Sequence, residues 1–464
     1  MNPWDIEVNL QDVVLDFLYL SSFIIIGTLL RRYVVFFQRF LIPNNLIGGF
    51  LALFTCSQGL GWFDLPSERL GIYVYHFLAL TVISLGLRQE KTYWGKGPLS
   101  KGIATLSTYM IQATIGLLIA FALVYTIDPH LFIGIGLILP LGFGMGPGLA
   151  YSMGRSWEMW GFENGALVGL TFAAIGYLYA FFGGMALIHW GIKKGKSALI
   201  KNVDQISMDV RTGVYKSADE KPIAGRLTLS TEAVESLSFH LGLIGFVYLL
   251  TYWFAKGVTA WMDQAGLHDF VATIWSFHFV FGLLIALAVR KILDLSGRSY
   301  VIDRGLMTRA MGVFLDYMVV GAVAAISITV VLKYWQPIII MSLLAGPATM
   351  ALLFWICWRA FDDFHFERFI ELFGEMTGTI NSGMVLLRVT DPEFETPVAE
   401  DAVYGSGVAL FLGIPLLIAL NVPFAFFKNS IEGYWITFAI LLVYWIVLWL
   451  FWRGIGFLSF RKRT

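Results

Sequence analysis

Within the stretch FGEMTGTINSGMVLLRVTDPEF, Phe373 to Phe394, four neutral oxygen donors fall close together: Thr377, Thr379, Asn381 and Ser382. Hydroxyl and amide oxygens on a backbone opened by Gly378 and Gly383 suit a hard cation such as sodium. Arg388 adds a planar fork that can pair with a carboxylate through two hydrogen bonds. Beside Asp391 and Glu393 it suits snorkelling to a membrane interface equally well. Glu371 and Glu375 stand one helical turn apart, offering either a cation or proton site or a hydrated interfacial pair. Asp316, in MGVFLDYMVVG, is the acid best embedded among apolar residues. A second glycine-rich stretch, HLFIGIGLILPLGFGMGPGLAYSMGRSW, supplies Gly146, Gly148 and Ser152 as ligand-contacting candidates to set opposite Asn381 and Arg388. His189 and His278 read as interfacial or packing residues. No metal-ligand cluster, nucleophile elbow or phosphate loop occurs, so enzyme chemistry, an organic cofactor and a nucleic-acid partner find no support.

What must position these groups is a bundle of membrane helices. The 464 residues are 58% hydrophobic and only 14% charged, against about a quarter in soluble domains. Apolar runs long enough to cross a bilayer recur throughout, which implies a polytopic all-α membrane protein and excludes a β-barrel of short alternating strands. Spans are expected near 12–30, 40–57, 71–87, 103–127 and 163–192, then near 236–257, 270–289, 310–332, 336–358, 403–427 and 434–452. Residues 131–154 and 369–388 are apolar but glycine-broken and read as hairpins. The acidic opening MNPWDIEVNLQD has no basic n-region, so no cleavable leader is expected. Cys56 and Cys357 lie in apolar segments and suggest buried thiols.

Charge sets the orientation. With the N-terminus outside, 27 of the 32 Lys and Arg fall at cytoplasmic ends, among them Arg88, Lys91, Lys96 and Lys101. Only Arg69, Arg155, Lys256, Lys333 and Lys428 fall outside. The positive-inside bias therefore places the C-terminal tail in the cytoplasm, in a cytoplasmic (inner) membrane. Treating 131–154 as a full crossing would put the basic central loop outside, so the hairpin reading is the consistent one.

The two halves echo each other. Each has a long span, a shorter one (LIPNNLIGGFLALF against WSFHFVFGLLIALAV), two further spans, a broken hairpin and a closing span. Five crossings per half make this an inverted-topology repeat, with 1–192 and 236–427 as the repeats and 193–235 as a cytoplasmic linker. Residues 428–464 add an extra span and a basic tail. Inverted repeats with paired broken helices favour a transporter whose site lies at the midplane. A passive channel would instead need a continuous polar pathway.

In LIPNNLIGGFLAL (41–53), GFENGALVGLTFAAIGYLYAFFGGMAL (161–187) and FIELFGEMTGTINSGMVLLRVTDPEFETPVAED (369–401) the chain resembles the bacterial sodium/glutamate symporters. The resemblance covers most of both halves. It implies sodium-coupled uptake of glutamate or a related small carboxylate, ten helices in an inverted repeat with two re-entrant hairpins, a homodimer and elevator-like motion. In two places the chain departs from the pattern. Its first hairpin reads GFGMGPGLAYSMG where the family carries a Gly-Gly-His-Gly-Thr-like stretch, and residues 434–452 add an eleventh span.

Overall fold

A helix satisfies all of its own backbone polar groups, so apolar runs of this length can enter lipid only as helices. The computed structural model bears this out. It describes residues 4, 9–88, 95–200, 208–214, 221, 223–230, 232–392 and 394–458. Lys91, Glu393, parts of the N-terminus and central loop, and the basic tail from 459 lie outside the described residues.

In chain order the helices are α1 Leu10–Tyr33, α2 Val35–Arg39, α3 Asn44–Thr55, α4 Ser67–Arg88, α5 Lys96–Thr126, α6 Ile135–Phe143, α7 Pro147–Trp157 and α8 Gly165–Leu178. A π turn, Tyr179–Gly183, joins α8 to α9 Gly184–Lys193. There follow α10 Met208–Thr212, α11 Ser236–Gln264, α12 Val271–Ser276, α13 His278–Leu295, α14 Arg304–Ala324 and α15 Ile328–Lys333. The last five are α16 Trp335–Ala360, α17 His365–Met376, α18 Ile380–Thr390, α19 Val398–Ala425 and α20 Ile431–Gly454. Among the described residues nine helices, counting α8 to α9 as one, are long and apolar enough to cross a membrane. This is a multi-pass membrane protein.

Two expected spans come out shorter. Residues 40–57 yield only α3, about 18 Å long and well under a bilayer core. Leu41 (φ 52°) and Pro43 delay its start, and the chain turns away at Cys56 to Gly61, whose φ of 69° only glycine adopts freely. Residues 270–289 break at Phe277 into α12 and α13. The His278 ring, stacked 3.7 Å from Tyr75, sits within hydrogen-bond reach of the Trp275 and Tyr75 carbonyls (3.0 and 3.2 Å) and steadies the break.

Helices α1, α3, α4, α11, α13 and α14 pack together, with α4 and α14 at their centre. Gly27 and Gly48 let α1 and α3 touch backbone to backbone, for a methyl on Gly48 would stand 2.5 Å from the Phe23 carbonyl oxygen. A second group forms around α5, which packs on α6, α16, α19 and α20. Helices α1, α11 and α20 are each only 22% buried over their apolar windows and expose Phe17, Phe246, Leu450 and their like. Such faces need lipid or another apolar surface to cover them. Both cysteines are buried free thiols.

Contacts sort the loops to two ends. At one, Trp157 donates to Asn421 (3.0 Å), Asn429 to the Trp160 carbonyl (3.0 Å), and Phe132 stacks on Phe162 at 4.6 Å. At the other, Lys96 pairs with Asp362, Arg368 with Asp401 (2.7 Å), and Trp452 donates to Ser100 (3.1 Å).

Candidate ligand and ion site

Both glycine-rich stretches fold as two half-length helices with a break between them. In the first, Pro140 sits inside α6, and its carbonyl accepts from both Gly144 and Met145 as the helix closes. Gly146 at φ 91° then turns the chain, and Pro147 opens α7. In the second, α17 ends at Met376, and Thr379, in extended backbone, precedes α18.

The two breaks touch. A methyl on Gly146 would lie 3.3 Å from Thr379 Cγ2, and one on Gly144 would lie 3.3 Å from the Met376 carbonyl oxygen. Helix α5 holds both. Tyr109 donates to the Gly144 carbonyl (3.2 Å), and Gln112 Nε2 donates to the Met376 carbonyl (3.0 Å) and to Thr349 of α16 (2.9 Å). Because that nitrogen must donate, Gln112 Oε1 points the other way, buried and without a hydrogen-bond partner. Helix α8 presses on both breaks through Gly176, and its buried Tyr177 hydroxyl stands beside Thr379 within electrostatic reach of Asp316. Asp316 in turn accepts from Asn45 at 2.8 Å.

The chemistry of such a junction is two-signed. Helices α7 and α18 start at the breaks, and neither has a side-chain cap, so the first-turn N–H groups are open to an anion. Helices α6 and α17 end there, offering carbonyls to a cation.

Not every candidate converges. Thr377 and Thr379 lie at the junction, the Thr377 hydroxyl donating to the Phe373 carbonyl (2.7 Å). Asn381 is exposed, whereas Ser382 is buried against Gly378, because successive helical residues point about 100° apart. The four expected oxygens therefore do not form one cage. Gly148 packs on Leu78 and Met318, and Ser152 donates to the Ser276 carbonyl (2.9 Å), tying α7 to α12 rather than facing the junction. Arg388 lies about 12 Å along α18 from its start, over the Phe394 ring at 5.8 Å. The Asp391 carboxylate accepts from Glu395 N, Thr396 N and Thr396 Oγ1. Arg388→Lys is accordingly expected to keep the apparent ligand constant within about twofold, since a lysine also reaches an interface. A tenfold rise in the apparent ligand constant would instead put this arginine in the site.

Two readings of charge are corrected by burial. Glu371 and Glu375 are 1% and 5% exposed, so they are not a hydrated interfacial pair. Lys101 is no interfacial cation: it is 2% exposed, and its ammonium lies 2.5 Å from Glu375 Oε2. Gln112, Tyr109 and Tyr177 were not among the sequence candidates. The available signal was Gln112 itself, a polar side chain midway through an apolar run. No family model matches the chain, and neither does any curated protein or solved structure.

Proposed function

We propose that the chain is a sodium-coupled secondary transporter of a small carboxylate, glutamate or a relative, with the junction of the two breaks as its site. The observation that carries this reading is the meeting of two uncapped helix starts and two helix ends at Gly144–Gly146 and Met376–Thr379. Such a junction accepts a carboxylate and a cation together, as coupling requires. The Met376 carbonyl and the Thr377 and Thr379 oxygens are cation donors at this junction.

Further support comes from each broken pair's two ends. Phe132 and Phe162 flank the first and stack on each other, while Arg368 at the start of the second bridges to Asp401 beyond its end. Segments that start and finish at one end are re-entrant hairpins. The order long, short, long, long, broken pair, long recurs in α1 to α9 and α11 to α19, which fits an inverted repeat. An apolar cavity of about 360 Å³, lined by Leu30, Phe37, Leu46, Phe50, Tyr177 and Phe181, lies between α1 to α3 and the α8 run. A loose seam of that kind suits one helix group sliding past the other. The outside N-terminus rests on the distribution of Lys and Arg, and a homodimer on the resemblance.

In proteoliposomes with an inward sodium gradient, labelled glutamate or a related dicarboxylate should accumulate above equilibrium, and collapse of the gradient should release it. A channel would only equilibrate the label. That result would replace the transporter reading.

A further inference from the structure

We propose that Glu371 is a proton-binding site, buried with Lys101 and Glu375 at the base of the second broken pair. The reasoning begins with local charge balance. Lys101 of α5 pairs with Glu375 (2.5 Å) and also donates to Ser406 of α19 (2.6 Å), whose hydroxyl lies 3.2 Å from Glu375 Oε1. Arg368, one turn earlier on α17, is engaged by Asp401 and Asp363, each at 2.7 Å. Each buried cation therefore already has its carboxylate. Glu371 is left over. It is 1% exposed, and its Oε1 has no hydrogen-bond partner.

Among the described residues, the remaining neighbours supply no third cation. Helix α5 presents Tyr109 as well as Lys101, α16 presents the Cys357 thiol, and α19 presents Asp401 and Ser406. Helix α18 crosses at Gly383, where a methyl would stand 3.2 Å from Glu371 Oε1, and lays Leu386 on Gly374. Helix α9 brings Gly191 against Phe366. A charged carboxylate there shares Lys101 with Glu375 and bears a desolvation cost of several kcal/mol that one ammonium does not offset. A sodium ion would need a shell of several oxygens, whereas the unpartnered Oε1 faces the Gly383 backbone. One proton neutralises the group without any further ligand.

Glu371 stands about one and a half turns from Met376, whose carbonyl is part of the junction. Its protonation is thus placed to bias the hairpin, and this part of the inference rests on the transporter reading. The proton site itself does not.

Infrared difference spectra of the purified protein, stepped between about pH 6 and 10, test the site directly. The parent should show a protonated-carboxyl band that Glu371→Gln abolishes and Glu367→Gln keeps. Glu371→Gln, an isosteric mimic of the protonated group, should fold, matching the parent's thermal midpoint at about pH 4, where the parent holds this proton both folded and unfolded. The folded parent holds a proton that its unfolded chain gives up, so its stability falls as pH rises, and the variant should outlast it at alkaline pH. Absence of the band, or parallel stability profiles for parent and variant, overturns the proton site. In proteoliposomes, parent uptake should change at least tenfold over that range and Glu371→Gln uptake less than twofold. Uptake with equal pH dependence in both would sever the site from transport. A protein that shows the band but no accumulation would refute the transporter reading alone.

Discussion

On the proposed function, Gly176→Ala should cut sodium-driven uptake at least about a hundredfold while leaving the protein folded. The added methyl would stand 2.5 Å from the Thr377 carbonyl oxygen and 3.2 Å from Phe143 Cα, so it drives into both breaks at once. Ordinary contact needs about 3.5 Å, and neither neighbour is a flexible side-chain end that can swing aside. The junction must open by roughly an ångström, a displacement that costs about two orders of magnitude where paired groups must meet a ligand together. Gly183→Ala on the same helical run is the matched control, because its methyl meets only Phe373, at 3.4 Å. Uptake is measured in proteoliposomes, and folding by thermal midpoint in detergent. Equal activity of the two variants would remove the junction from the transport path.

Lys101→Met should lower stability by about 3–5 kcal/mol. It fills nearly the same volume but leaves Glu375 buried without its ammonium, beside Glu371. The space for the lysine is specific: a methyl on Gly405 would lie 2.5 Å from its Cδ. Glu375→Gln in the same chain should restore most of the loss, since removing both charges leaves no uncompensated one. Acidification should also help the single variant, because a proton then replaces the missing ammonium. The check is the thermal midpoint of the four chains of the cycle. An unchanged midpoint in Lys101→Met would mean that water reaches the pair.

Sequence alone determined the class of the protein. Lipid leaves an apolar run of twenty residues no alternative to a helix, so α1, α4, α5, α11, α16, α19 and α20 lie close to where hydropathy puts them. The two breaks were legible for a related reason: Gly144–Gly148 and Gly378–Gly383 are chain positions where helix propensity fails. What hydropathy cannot register is depth and partner. Lys101 has the same residue type whether it snorkels or pairs, and only the approach of α17 to α5 puts it beside Glu375. Asn381 and Ser382 are adjacent in sequence, yet the 100° helical step exposes one and buries the other. Gln112, about 260 residues from Met376, became a site residue because α5 passes behind both breaks. Secondary structure and membrane insertion follow from local transfer energies that each segment carries in itself. The meeting of the breaks, and the carboxyl left without a cation beneath them, depend on which helices lie side by side, and packing alone decides that.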